Sequence, residues 1–190
     1  MKADDRAELL AMLARESYFE RDLTLASGRA SNYYVDCKRT LYLPRGFYLA
    51  GEAVLELVKR SGVAQIGGMA AGAIPVTDAA IAAAYRHGVE VRGFFVRKET
   101  KAHGLQQQIE GAFRKGAKTA VLEDAVTTGG SSLAAVEAMR AAGAQVLAAI
   151  TLVERGEGAA EAFKRAGLEY SWVFTSEEVR AAAAKSKTAK

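Results

Sequence analysis

Stretches of helical composition alternate along this chain with short apolar or β-branched runs. The first pattern predicts helices and the second predicts strands. Helices are predicted near Asp5–Glu16, Arg45–Arg60, Pro75–His87, Ser131–Ala142, Ala159–Ala166 and Ser176–Ala184. Strands are predicted near Gln65–Met69, Val91–Arg97, Thr119–Glu123, Gln145–Val153 and Tyr170–Phe174.

Glycines stand between these elements at similar intervals, as at Gly62, Gly88, Gly143 and Gly167. Each of these four follows a predicted helix and precedes an apolar run, which is typical of a helix cap that leads into a strand. Spacings of roughly 25 residues fit successive strand and helix units. The sequence therefore predicts an α/β fold with a parallel sheet flanked by helices, and ligands are expected at the strand ends.

The segment Leu23–Arg39 departs from this pattern, because polar and apolar residues alternate around a Ser-Gly-Arg turn. It predicts an antiparallel hairpin placed before the main sheet. We expect one domain over residues 1–190, with residues 1–44 as an N-terminal extension and residues 185–190 as a frayed tail.

Charge is concentrated in one segment of the chain. The net charge is +4, and Arg97–Lys118 alone holds six basic and two acidic residues, so the other residues balance. A local positive segment on a neutral body favours a small anionic ligand over a nucleic-acid surface. We therefore expect no nucleic-acid partner.

The remaining composition points to a cytoplasmic protein. The first residues are acidic and amphipathic, unlike a secretory signal, and no apolar run approaches the length of a membrane span. Cys37 is the only cysteine, which excludes an intrachain disulfide. We expect no membrane association.

The stretch VLEDAVTTGGSS, Val121–Ser132, carries the most specific chemistry. A strand that enters a helix through a glycine-containing loop presents backbone N–H groups and a helix dipole to a phosphate. A Walker loop would need a lysine after the glycines, and a dinucleotide fingerprint would need a different glycine spacing. Carboxylates repel phosphate, so Glu123 and Asp124 are expected to face sugar hydroxyls or a metal ion. A strand with a polar end and an ordinary capped helix is the alternative.

This stretch resembles the phosphoribosyl-pyrophosphate motif of type I phosphoribosyltransferases. The resemblance implies that a loop grips the 5′-phosphate while Glu123 and Asp124 contact the ribose and stabilise its developing positive charge. It also implies Mg²⁺ as cofactor, held mainly through the substrate rather than by protein ligands. The implied phosphate-binding residues are Val126, Thr127, Thr128, Gly129, Gly130 and Ser131, and Ala125 is implied to contact phosphoribosyl pyrophosphate as well.

The basic stretch RKETKAHG, from Arg97 to Gly104, predicts a lid that closes over the substrate. A solvated surface turn and an RNA-binding patch are the alternatives, and the second is weakened because no aromatic residues lie between the charges. The stretch resembles the corresponding loop of orotate phosphoribosyltransferases. That resemblance implies pyrophosphate contacts and a homodimer whose lid reaches the neighbouring subunit's site. The implied contacts are Arg97, Lys98, Lys101 and His103, with Lys101 and His103 also catalytic.

Two further segments resemble the same family and bear on the base. LTLASGRASNYYVD implies that Tyr33 and Tyr34 lie near the planar base, and TLVERGEGAAE implies that Arg155 binds the orotate carboxylate. Thr127 is implied as a further orotate contact. Alternatively, the two tyrosines are ordinary strand aromatics and Arg155 is a surface charge.

Two positions depart from the family pattern. Ala26 and Gly72 stand where the family often has lysines, so the backbone of Ala71 and Gly72 is expected to contact pyrophosphate instead. Lys38 or Arg39 could replace the missing charge.

The expected activity is transfer of a phosphoribosyl group from phosphoribosyl pyrophosphate to orotate, which gives orotidine 5′-phosphate and pyrophosphate. The alternatives are a phosphoribosyltransferase for a purine or another base, and a regulatory protein that senses phosphoribosyl pyrophosphate.

Overall fold

The computed structural model describes residues 1–24, 30–98 and 108–188. A π-helical turn, Leu13–Ser17, joins the first helix to the first strand. The helices are α1 (Ala3–Met12), α2 (Lys38–Leu41), α3 (Pro44–Ser61), α4 (Ala73–Arg86), α5 (Gly130–Ala141), α6 (Ala159–Arg165) and α7 (Ser176–Thr188). The strands are β1 (Tyr18–Thr24), β2 (Ala30–Val35), β3 (Gln65–Met69), β4 (Arg92–Val96), β5 (Ile109–Gly111), β6 (Lys118–Val126), β7 (Gln145–Glu154) and β8 (Glu169–Thr175).

A six-stranded sheet in the order β5-β4-β3-β6-β7-β8 forms the centre of the fold. Five of its strands are parallel, and β5 pairs antiparallel with β4 at the edge. Strands β1 and β2 form a separate antiparallel hairpin. The predicted α/β class, the parallel sheet and the N-terminal hairpin are confirmed, although the hairpin begins at Tyr18 and its Ser-Gly-Arg turn lies outside the described residues.

Apolar side chains cover both faces of this sheet. On one face Leu122 of β6 belongs to a core with Leu49 of α3 and Val179 of α7. On the other face Val121 packs in a core with Met139 of α5 and Phe163 of α6. Because neighbouring strand residues point to opposite faces, the two cores flank β6 and hold its carboxyl end in a fixed place.

The structure corrects the predicted end of β6. The strand was expected to stop at Glu123, but it continues through Asp124 to Val126, and Ala125 pairs with Val153 of β7. The acidic residues therefore lie within the hydrogen-bonded strand, and backbone pairing outweighs their low strand propensity.

Short or polar elements were not predicted. The three-residue strand β5 and the four-residue helix α2 carry too few residues to show a period. Helix α7 continues to Thr188, past its predicted end at Ala184 and into the segment expected to be frayed. Among the described residues no helix is long and apolar enough to cross a bilayer.

Candidate active site

A turn after β6 leads directly into helix α5. Gly129 has a φ of 83°, a left-handed conformation that glycine adopts without strain. A Cβ atom at Gly129 would lie 3.2 Å from the buried ring of Phe163, a tight contact that adds to the preference for glycine. The first N–H groups of a helix have no partner within the helix, and the helix dipole makes this end positive. The turn can therefore bind an anion.

A cavity of about 330 Å³ opens at this turn. Glu123, one residue of the acidic pair, lines this cavity together with the whole predicted phosphate-binding stretch. Its lining residues are Glu123, Ala125, Val126, Thr127, Thr128, Gly129, Gly130, Ser131 and Ser132. The turn from Val126 to Ser131 and the Glu123 carboxylate thus line one volume, with room for a phosphate and part of a sugar.

Glu123 is held against the first turn of α5. The Ser132 hydroxyl donates a hydrogen bond of 3.0 Å to Glu123 Oε2. Burial, followed by the neighbouring Asp124 carboxylate, raises the pKa of Glu123 to about 8. Without a ligand this carboxyl group holds its proton at neutral pH.

Asp124, the next residue along β6, is only 7% exposed. Its Oδ2 lies 3.8 Å from Lys38 Nζ, and burial raises its pKa while Lys38 lowers it. A Cβ atom at Gly72 would lie 2.8 Å from Asp124 Oδ1 and 2.9 Å from Glu123 Oε1. The two carboxyl groups therefore converge on the backbone of Gly72, at the start of α4.

A second cavity, of about 360 Å³, lies beside the ends of β3 and β4. Its lining includes three of the predicted pyrophosphate contacts, and the full set is Ala70, Ala71, Phe95, Arg97 and Lys98. Arg97 Nη1 is 2.7 Å from Glu110 Oε1, which fixes the guanidinium beside the cavity. Lys101 and His103 lie outside the described residues.

Tyr33 and Arg155 come together although they are far apart in the chain. The Arg155 guanidinium lies 4.7 Å from the centre of the Tyr33 ring, and the Tyr33 hydroxyl is 2.9 Å from Ser176 Oγ. The Arg155 backbone N–H donates to the carbonyl oxygen of Val126, 3.1 Å away. Arg155 is thus anchored at the point where the phosphate-binding turn begins.

The Arg155 side chain is only 3% exposed, and Arg155 Nε lies 3.0 Å from Glu157 Oε1. Tyr34 is 40% exposed and, as the next residue along β2, points to the other side of the hairpin from Tyr33. The sequence did not single out Glu157 or Ser176. Glu157 stands two residues after Arg155 between two glycines, and this spacing was its only signal in the sequence.

No group of three or more His, Cys, Asp or Glu side chains suited to a metal ion occurs in the described part of the chain. The acidic pair alone offers fewer protein oxygens than Mg²⁺ needs for six ligands.

Comparison with known proteins gives the same family for sequence and structure. The "Orotate phosphoribosyltransferase" of Rhodopirellula baltica is 44% identical over 177 residues, which cover 90% of this chain and 92% of the relative. The protein of the same name from Bradyrhizobium sp. (strain ORS 278) is 41% identical over 181 residues, or 93% of this chain and 98% of the relative.

Among solved structures, Mycobacterium tuberculosis orotate phosphoribosyltransferase in complex with 5-phospho-alpha-D-ribosyl 1-diphosphate matches with a TM-score of 0.77 and 36% identity. The match covers 92% of this chain and 98% of that one. No protein-family model matches the chain. Identities of this size over nearly the whole length, together with the acidic strand end and its glycine turn, show that the chain belongs to the orotate phosphoribosyltransferase family.

Proposed function

We propose that this protein transfers the phosphoribosyl group from phosphoribosyl pyrophosphate to N1 of orotate, in the synthesis of pyrimidine nucleotides. One observation carries the proposal: Glu123 and the turn Val126–Ser131 line a single cavity, and the Asp124 carboxyl group meets that of Glu123 at the backbone of Gly72. A phosphate site next to two carboxyl groups fits a ribose phosphate, because the anion and the diol need opposite kinds of hydrogen-bonding partner.

The two carboxyl groups share the binding of the sugar in this mechanism, and Asp124 has a further role in catalysis. Glu123 and Asp124 accept hydrogen bonds from the ribose hydroxyls and orient the sugar. As the bond from C1 to pyrophosphate breaks, the ring gains positive charge, and the ionised Asp124 stabilises that charge from a buried position where Coulomb interactions are strong.

The leaving pyrophosphate is bound at the second cavity. Ala71, Arg97 and Lys98 line this cavity. The backbone of Gly72, the next residue after Ala71, is proposed as a further contact. Lys101 and His103 are proposed to complete this cationic shell from the lid. Mg²⁺, held mainly by substrate oxygens, supplies further charge neutralisation when it is bound.

Orotate is proposed to bind between the hairpin and the start of the phosphate turn. Arg155 provides the guanidinium for its carboxylate, while Tyr33, Tyr34 and Thr127 are the proposed contacts to the ring. The contact between Tyr33 and Arg155 supports this grouping. Because the Arg155 side chain is almost wholly buried, orotate binding requires the Glu157 side chain or the hairpin to move aside.

A homodimer in the cytoplasm is also proposed, with each lid reaching the partner's site. Its support is the resemblance of the lid stretch to that of the family. Complementation tests the shared site with Lys101→Ala and Asp124→Asn subunits, each inactive alone. When the two are mixed, half of the dimers contain one subunit of each kind, and each such dimer holds one intact site. The mixture should therefore regain about a quarter of wild-type activity. Mixtures without activity would count against shared sites.

The activity is tested by incubating the purified chain with phosphoribosyl pyrophosphate, Mg²⁺ and orotate, and by following the loss of orotate absorbance. Uracil, adenine and hypoxanthine serve as competing bases. We expect turnover with orotate only, and Arg155→Ala should remove it while binding of the donor persists. Preferred turnover of a purine base would support the purine enzyme instead. Donor binding without turnover of any base would support the sensor.

A further inference from the structure

Lys38 lies between two carboxylates that belong to different parts of the site. Its Nζ is 2.7 Å from Asp36 Oδ1 and 3.8 Å from Asp124 Oδ2. Asp36 directly follows β2, the strand that carries Tyr33, whereas Asp124 lies in the central sheet. Lys38 therefore connects the hairpin on the base side to the carboxylate on the ribose side.

The backbone at Lys38 is firmly anchored although its side chain is partly exposed. The Ser17 and Thr40 hydroxyls are buried and 2.7 Å apart, and Asp36 N–H donates to the Ser17 carbonyl oxygen over 2.9 Å. Cys37 is fully buried beside them. These contacts fix α2 against the π-helical turn, so the base of the Lys38 side chain cannot move freely.

Lys38 and backbone hydrogen bonds at Ala125 and Asp124 favour the charge of Asp124, whereas burial and the neighbouring Asp36 carboxylate oppose it. On its own strand Asp124 raises the pKa of Glu123, and the thiol of Cys37, whose pKa is raised by burial, gives no compensating charge. Lys38 favours the ionised form of Asp124. Burial lowers the pKa of Lys38, but Asp36, Asp124 and the Tyr34 side chain raise it.

Two nearby positions do not provide a second cation. The Arg39 guanidinium lies 4.8 Å from the centre of the Phe19 ring, on the hairpin. Gly72 has no side chain, and its backbone faces both carboxyl groups. Within the described residues, Lys38 is thus the basic side chain in ion-pair distance of Asp124.

We propose that Lys38 is a positioning residue that keeps Asp124 ionised and aimed at the ribose, and that couples the hairpin to the catalytic strand. The inference rests on the proposed function, in which Asp124 stabilises the sugar cation. Lys38 acts through Asp124 and not on the base, so its loss affects the rate of the chemical step more than the binding of orotate.

The test compares Lys38→Met, Lys38→Arg and the matched control Arg39→Met in the full chain, by steady-state kinetics across a pH series. For Lys38→Met we expect kcat to fall about 30-fold, with KM for orotate within about threefold of wild type. The acid limb of its kcat profile should move up by about one pH unit, because an opposite charge near a carboxylate lowers its pKa by this order. Lys38→Arg should restore most of the rate, and Arg39→Met should match wild type.

A kcat profile of Lys38→Met equal to that of wild type would overturn the inference, as would a rise in orotate KM with unchanged kcat. If Lys38→Met does not fold, Asp36→Asn replaces it. This substitution removes the repulsion by the Asp36 carboxylate and leaves the Lys38 ammonium to Asp124, so a shift of the opposite sign, towards lower pH, is expected, and an unchanged profile would overturn the inference. Carboxyl ¹³C NMR of Asp124 provides a readout that needs no turnover. A pKa of Asp124 that rises by about one unit in Lys38→Met supports the inference even if the proposed activity fails, and an unchanged pKa of Asp124 refutes it.

Discussion

Replacing Glu123 with glutamine is predicted to stabilise the unliganded protein at alkaline pH and to remove its activity. Glu123 is largely shielded, with one hydrogen bond from Ser132 and a second carboxyl group beside it. Its charged form is disfavoured here, since burial and Asp124 both act against it. Glutamine keeps the shape and has no charge, so the folding cost disappears together with the function.

The magnitude follows from the difference between the folded and unfolded pKa values of Glu123. Its pKa is about 8 in the folded state and 4.5 ordinarily, so the folded protein binds the extra proton between these values. Stability is therefore full below about pH 4.5 and falls as pH rises to about 8. The largest possible change in the free energy of unfolding is about 5 kcal/mol, at roughly 1.4 kcal/mol per pKa unit. Because some solvent reaches the Glu123 carboxyl group and Asp124 is coupled to it, we expect a change of about 2–4 kcal/mol over the whole pH range.

Urea unfolding measured at about pH 5.5 and about pH 8.5 tests this expectation. The gain in the free energy of unfolding of Glu123→Gln over wild type should be about 1–3 kcal/mol larger at the higher pH, since part of the effect is already present at about pH 5.5. Glu137→Gln, at an exposed position on α5, is the matched control and should show no such change. A gain for Glu123→Gln that is equal at both pH values would refute the argument that Glu123 is kept at a cost to folding.

Three further predictions concern the turn, the arginine and the ligand. Gly129→Ala should lower the free energy of unfolding by about 1–3 kcal/mol, because it places an alanine in a left-handed conformation near Phe163. Gly130→Ala is the control and should be nearly neutral, since its Cβ atom would meet nothing closer than 3.9 Å. Equal urea midpoints for the two variants would contradict this prediction. Glu157→Gln should lower KM for orotate about three- to tenfold at unchanged kcat, since the Glu157 carboxylate competes with the orotate carboxylate for the Arg155 guanidinium, and a higher KM would show instead that Glu157 holds Arg155 in place for the substrate. Phosphoribosyl pyrophosphate with Mg²⁺ at about 100 times Kd should stabilise the protein by about 2.7 kcal/mol in thermal unfolding, and no shift in Tm would contradict a donor site.

Much of the fold could be predicted because each main element has its own pattern. The long helix α3 ends at Ser61 and is capped by Gly62, and its bounds agree with the sequence to within one residue. The end of β6 could not be predicted in this way, since Glu123 and Asp124 interrupt the apolar run while backbone pairing to β7 continues. Local propensity predicts a strand that ends at Glu123, whereas pairing with β7 extends the strand to Val126.

The candidate site likewise has one part that local sequence predicts and another part that it does not. The phosphate turn could be predicted because its residues are consecutive, and a strand, a glycine turn and a helix determine its geometry. The ion pair between Lys38 and Asp124 depends on how α2 packs against β6, and the contact between Tyr33 and Arg155 depends on how the hairpin meets β7. Such contacts leave no signal in local sequence.

The most direct test of the central claim is a crystal structure of the protein with bound phosphoribosyl pyrophosphate. The account predicts that the 5′-phosphate accepts hydrogen bonds from backbone N–H groups of the turn Val126–Ser131, with the ribose hydroxyls on Glu123 and Asp124. A donor bound with its ribose away from these two carboxyl groups, or a turn that holds no phosphate, would contradict it.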